Sequence, residues 1–255
     1  MKEPDILTEE EAQRMIEAAQ SIRDKAFIAV LYEGGFRIGE ILPARLGDIQ
    51  FDELGAKLKV QGKTGGRVVR LITSEPLLSK WVEANPFRDS PKAPIWVPMA
   101  TNYRAPVPMS YQQVMKMLKE TARRAGVKKR IYPHLFRHSA ATRDAKYLTE
   151  SELKVKYGWV GDSRMAATYV HLASADLDNK LAAIYAGRPV ETIKPKFVPI
   201  ICPRCGEQNT PGQRYCSRCG TPLRPEELAK STVKLEEIRR ELGELRDALK
   251  KALGL

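Results

Sequence analysis

The chain has 255 residues, 43% hydrophobic and 29% charged, proportions of an ordinary folded protein that exclude collagen-like, low-complexity and wholly disordered classes. Its length fits one full-sized domain plus a smaller one at about 150 residues per domain, its longest apolar runs fall short of the ~20 residues of a membrane span, and the acidic start MKEPDILTEEE is unlike a signal peptide. Against 31 Asp and Glu stand 43 Lys and Arg, a net charge of +12 that points to a polyanionic partner, while the absence of membrane signals places the protein in the cytoplasm.

In chain order, Thr8 and Glu11 form a capping box behind Ile6 and Leu7 and open a first helix. A second helix, apolar over much of its surface and therefore central, runs over residues 21–33 and stops at Gly34 and Gly35. Over residues 46–73 the apolar period changes to two, with turn signals at residues 53–55 and 62–66, which predicts three short antiparallel strands. Ser74 or Glu75, with Pro76, starts the next helix, carrying Leu77, Leu78, Trp81 and Val82. A proline-rich crossing over residues 86–108 leads to a helix capped by Ser110 and Gln113 and closed at Gly126. Further helices are expected at residues 133–146, 149–157, 163–172 and 175–186, and a linker without periodicity follows.

All four cysteines fall within 18 residues, Cys202, Cys205, Cys216 and Cys219, as C-x2-C, ten residues, C-x2-C. In a reducing compartment this spacing reads as one structural Zn2+ on four thiolates, with a glycine after each pair where the knuckle needs a permissive backbone. Such a site carries −2, so the basic character survives at about +10. In the last helix Leu235, Ile238, Leu242, Leu245, Leu249 and Ala252 alternate at spacings of three and four, a short heptad seam. The seam fits either packing on the helix's own domain or dimerisation and protein docking.

The only three histidines, His134, His138 and His171, lie within 38 residues. Histidine exchanges protons near neutrality, but His138 is expected to cap a helix or fill a core. His134 and Arg137 stand at i and i+3, as do Arg37 and Glu40 directly after the double glycine. Each pair alone would be an ordinary ion pair or cap.

HLFRH, followed 31 positions after His134 by MAATYVHL, resembles the tyrosine recombinases, or integrases, of the archaeal type. That family orders an arginine, a hairpin lysine, an H-x-x-R pair, a His or Trp, and a nucleophilic tyrosine. The chain supplies Arg37, Lys63 in VQGKTGG, His134, Arg137, Trp159 and Tyr169 in that order, over roughly residues 6–185. The resemblance implies a mainly α catalytic fold with a small antiparallel sheet over residues 1–187. A linker (188–200), a Zn(Cys)4 ribbon (201–222) and an amphipathic helix (223–255) complete the expected chain.

The implied activity is site-specific cleavage and rejoining of double-stranded DNA through a 3′-phosphotyrosine, in a nucleoid-associated protein. Arg37 and Arg137 would neutralise the non-bridging oxygens, so chemistry needs no metal, and Glu40 would orient Arg37. Tyr169 would attack, its phenolate favoured by the arginines; His134 would act as general base or hydrogen-bond donor, Lys63 as general acid, and Trp159 would hold its indole N–H toward the phosphate. Basic residues Arg123, Arg124 and 128–130 would line DNA phosphates, and the residue 175–186 helix would dock on a neighbouring protomer in a tetramer on two sites. Family members usually carry an N-terminal helical clamp domain, whereas this chain is expected to begin at the first helix of the catalytic domain; a type IB topoisomerase-like relaxing enzyme with the same chemistry and a non-catalytic DNA-binding regulator without the clamp stay open as alternatives.

Overall fold

The computed structural model describes residues 6–62, 65–99, 105–160, 164–173, 185 and 198–253. They divide into two units, one ending at Val198 and one beginning at Pro199. The predicted helix at 175–186 apart from Tyr185, most of the predicted linker, and Lys63 lie outside the described residues.

The first unit is helical with one small sheet. Thr8 and Glu11 form the expected capping box on α1 (Glu9–Ala18), and Ser21 caps α2 (Ile22–Gly34) by accepting from the Asp24 N–H. From Ala26 to Gly34 every residue of α2 is buried, because α1, α4 (Glu75–Ala84) and α6 (Pro133–Asp144) all pack against it. Each such large apolar side chain removed from water contributes about 1.5–3 kcal/mol.

Strands β1 (Ile49–Asp52), β2 (Gly55–Gly62) and β3 (Gly65–Leu71) form an antiparallel meander in the order β1-β2-β3, with Val60 opposite Arg67. Alternation sends Ala56, Leu58 and Val60 of β2 and Val69 and Leu71 of β3 into the core. The exit of β3 is pinned by Glu33 at the end of α2, whose carboxylate accepts from the N–H groups of Ile72, Thr73 and Ser74 and from the Ser74 hydroxyl. Four donors on one buried carboxylate satisfy both the acid and the turn.

The proline-rich crossing is less peripheral than its composition indicates. Ile95, Trp96 and Val97 are fully buried, Trp96 lies edge-on to Phe27 at 5.0 Å, and the Ile95 carbonyl accepts from the Trp81 indole at 2.8 Å. A segment without regular structure thus completes the core. Next come α5 (Tyr111–Arg124), with the expected Ser110/Gln113 box, α6, α7 (Glu150–Tyr157), with the Thr149/Glu152 box, and α8 (Met165–Ala173). A short helix absent from the sequence expectation, α3 (Ile38–Ile41), directly follows the double glycine.

The second unit holds a two-stranded antiparallel ribbon, β4 (Ile200–Ile201) with β5 (Gln208–Asn209), and a helix α9 (Pro225–Leu253). On α9, Ile238, Leu242 and Leu245 are exposed. No helix among the described residues is long and apolar enough to cross a membrane.

Candidate active site and metal centre

The double glycine sets the geometry of the first site. Gly35 takes a left-handed φ of +58° at the C-cap of α2, and a Cβ there would stand 2.5 Å from the Tyr157 ring. Only glycine meets both demands. The sharp exit turns the chain into α3, with Arg37 at its N-cap and Glu40 reaching back to the Arg37 N–H at 2.9 Å.

Glu40 is the hub. Its Oε1 accepts from Arg37 Nη1 at 2.7 Å, and its two oxygens accept from Arg67 Nη1 and Nη2, both at 2.8 Å. These arginines hold the Glu40 carboxyl down to about 2 against the desolvation that burial imposes. The end of β2 closes over it: a Cβ on Gly62 would lie 2.8 Å from Glu40 Oε1, so glycine is required for the strand to pass so close. Arg67 also donates through Nε to the Lys156 carbonyl at 2.9 Å and is nearly buried, whereas the Arg37 side chain is 37% exposed. Arg67 therefore braces the centre and Arg37 presents charge outward.

Arg137, on α6, is fixed from behind by two carbonyls, donating to Gly35 at 2.8 Å and Tyr157 at 2.7 Å. Its guanidinium lies over the rings of Tyr157 and Trp159. Burial and the neighbouring charges of Arg37 and Arg67 lower its pKa to about 10, so it remains charged at neutrality. Trp159, just after the left-handed Gly158 that ends α7, stacks on Tyr169 of α8 with centroids 5.5 Å apart and planes 2° from parallel.

Arg37, Arg137, Trp159 and Tyr169 thus converge, with Glu40 at their base. Lys63 follows directly on the Gly62 that packs against Glu40, but is itself outside the described residues, as is the side chain of His171 on α8. Two expectations are corrected. His138 neither caps a helix nor fills a core: its Nδ1 shares a short hydrogen bond with the Tyr169 hydroxyl, and His134, exposed one turn earlier, meets its ring edge-on at 4.5 Å. Nor do the arginines tip Tyr169 toward phenolate, because burial raises its pKa by more than Arg137 lowers it.

The sequence contained the signals for both residues it left out. His134, Arg137, His138 and Ala141 occupy i, i+3, i+4 and i+7, one helical face. Arg67 shares its strand face with the buried Val69 and Leu71, and a cation on the inward alternation of a strand needs a buried partner.

In the second unit the four Cys Sγ atoms lie within 4.8 Å of one another, the Cys202–Cys219 and Cys205–Cys216 pairs at 3.6 Å. Zn–S bonds of about 2.3 Å in a tetrahedron require S···S of about 3.8 Å, so the donors fit. The two knuckles are built alike. Gly206 donates to the Cys202 carbonyl at 3.0 Å and Gly220 to that of Cys216 at 2.9 Å, with φ of +72° and +71°. Asn209 ties them, donating to the Glu207 carbonyl and accepting from the Ser217 N–H and hydroxyl. The four thiolates form one structural zinc site.

Residues 201–223 match the zinc-ribbon domain, and residues 5–175 match the phage integrase family. Similar curated proteins include the tyrosine recombinase XerD of Bifidobacterium longum, 34% identical over 153 residues, which are 54% of this chain and 49% of that protein. A tyrosine recombinase of Thermosipho africanus is 33% identical over 183 residues, 69% of this chain and 59% of its own. The chain spans about half the length of the curated relatives it matches. Among solved structures, the XerA recombinase aligns with a TM-score of 0.54 at 23% identity, covering 72% of this chain and 65% of that one, and shares the fold. With the match extending from ahead of α1 to past Tyr169, the chain belongs to the phage integrase family.

Proposed function

We propose that the chain cleaves and rejoins double-stranded DNA at specific sites through a covalent bond between Tyr169 and a 3′-phosphate. The observation that carries this reading is the stack of Tyr169 on Trp159 and of Trp159 on Arg137, which places the buried Tyr169 side chain beside a guanidinium cluster. A phosphodiester repels nucleophiles by its charge; Arg37 and Arg137 neutralise it with permanently charged groups, so no catalytic metal is needed. Trp159 packs the pocket. The 5′-oxygen leaves with a proton, for which Lys63 is the candidate donor, and the phosphotyrosyl bond conserves the energy of the broken linkage.

Two solved relatives support a DNA substrate: XerH in a post-cleavage complex with a palindromic difH substrate, and the Tn1549 transposon integrase in complex with transposon right end DNA. Of the basic stretch, the exposed Arg123, Lys128 and Arg130 would hold backbone phosphates, whereas Lys129 is paired with Glu11 and Arg124 donates to the Ala18 carbonyl. Exchange between two DNA sites requires several protomers, and the exposed Ile238, Leu242 and Leu245 of α9 offer a surface for self-association or docking.

The test is covalent trapping on nicked duplex DNA and on supercoiled plasmid DNA in magnesium-free buffer without chelator, comparing wild type with Tyr169→Phe and mapping the adduct by mass spectrometry. An adduct on Tyr169 that the variant lacks supports the reading, and a crossed-strand product distinguishes recombination from relaxation. DNA binding with no adduct overturns the enzymatic reading.

A further inference from the structure

We infer that His138, rather than His134, accepts the Tyr169 proton during strand cleavage and returns it during rejoining, an inference that rests on the function proposed above. The hydrogen bond between His138 Nδ1 and the Tyr169 hydroxyl is direct. His134 makes no hydrogen bond to that hydroxyl among the described contacts; its ring meets the His138 ring instead, and its exposed edge faces outward.

Because burial keeps Tyr169 protonated, the attack needs an acceptor already in place, and an acceptor must itself be neutral. The groups around His138 keep it so. His134 and Arg137 share its helix, Tyr169 faces it from α8, and Trp159, from the segment after α7, brings no titratable group. Desolvation and the nearby Arg137 charge both hold its pKa below the ordinary value.

In the forward step the Tyr169 Oη–H bond breaks and its proton passes to His138 Nδ1. The oxygen pair bonds to phosphorus, the P–O5′ bond breaks, and the 5′-oxygen takes a proton from the general acid. In reverse the 5′-hydroxyl attacks, the tyrosyl oxygen leaves, and His138 gives its proton back. His134 is left free to donate toward the phosphate from the exposed side.

The decisive variant is His138→Asn, whose amide oxygen stands near the Nδ1 position and still accepts the hydrogen bond but cannot take a proton. It would be compared with His134→Asn and with His138→Gly plus free imidazole, all in the full zinc-loaded chain. The substrate is a duplex carrying the trapped cleavage sequence with a 5′-bridging phosphorothiolate, whose thiolate leaves without a general acid, so that the rate reports deprotonation of the nucleophile. Urea midpoints by tryptophan fluorescence establish that each variant is folded.

The expected result is a loss of about 100-fold for His138→Asn, disappearance of the wild-type fall in rate at acid pH, and partial rescue of His138→Gly by imidazole. His134→Asn should retain the acid fall. A folded His138→Asn within threefold of wild type with an unchanged pH profile would overturn the inference. So would one faster than wild type, which would make the contact a restraint on Tyr169. A wild type that forms no Tyr169 adduct at all removes the proposed function first, and this inference with it.

Discussion

Replacing Glu40 by glutamine tests whether the arginine centre is held by charge. The carboxylate takes three guanidinium hydrogen bonds and one backbone N–H, and its side chain is only 2% exposed. Glu40→Gln keeps the shape and one acceptor oxygen but turns the other into a donor and removes the countercharge of the buried Arg67, and breaking a buried pair in this way costs about 3–5 kcal/mol. Arg67→Met leaves Glu40 its two bonds to Arg37 and should cost about 2–4 kcal/mol. The double variant removes both members of the pair, so its cost should fall short of the sum by about 2 kcal/mol. All three tryptophans, Trp81, Trp96 and Trp159, lie in the first unit, so their fluorescence reports on it. With a urea slope near 3 kcal/mol/M, Glu40→Gln should lower the midpoint by at least about 1 M. A shift below about 1 kcal/mol, or strict additivity, would show that Glu40 and Arg67 are not coupled and that packing alone fixes Arg37.

The same carboxylate predicts an acid response: held at about 2 against an ordinary 4.5, Glu40 contributes about 3 kcal/mol that is fully present above pH 4.5 and disappears as pH falls toward 2. Glu40→Gln should remove that part of the acid dependence in urea titrations at stepped pH. Gly35→Ala places a Cβ against Tyr157 at a left-handed φ, and should cost more than about 2 kcal/mol by the same fluorescence assay while loosening the carbonyl that fixes Arg137. Elemental analysis should find one zinc per chain, and Cys216→Ser should lose most of it.

Which parts of this molecule were legible in the sequence depends on the range of the interaction. Caps are local, so Thr8/Glu11, Ser110/Gln113 and Thr149/Glu152 could be read three residues apart, and all three boxes are present. The cysteine spacing is equally local, and the two knuckles follow from it. Residues 93–97, by contrast, carry no periodicity, and only the tertiary packing of Trp96 on Phe27 makes them core. Arg67 and Lys156 are 89 residues apart, and no local pattern reveals that a carbonyl on α7 completes the coordination of a strand arginine. His138 fell between these cases: its helical face was readable, but its partner Tyr169 is 31 residues away on another helix. The balance between burial and charge at Tyr169 was unreadable for a related reason, since it depends on how much of the ring the fold encloses.

The centre is electrostatically lopsided in a way that bears on its chemistry. Arg37, Arg67 and Arg137 bring three positive charges together, and Glu40 is bonded to the first two of them. The depressed Arg137 pKa reflects burial first and, beside it, the mutual repulsion of the guanidiniums. Among the described residues, the hydrogen bonds and ring contacts of Arg137 come from carbonyls and aromatic faces, which orient the group without cancelling its charge. The strain is held by α2, α6 and β3, all rooted in the main core. Under the proposed function, a phosphodiester brought to the exposed side of Arg37 would supply the missing negative charge and relieve the repulsion. The further charge that would build on the phosphoryl oxygens during attack by Tyr169 would relieve it more. Fixed cations that are under-compensated before the reaction and best matched during it lower the barrier without any reorganisation of their own.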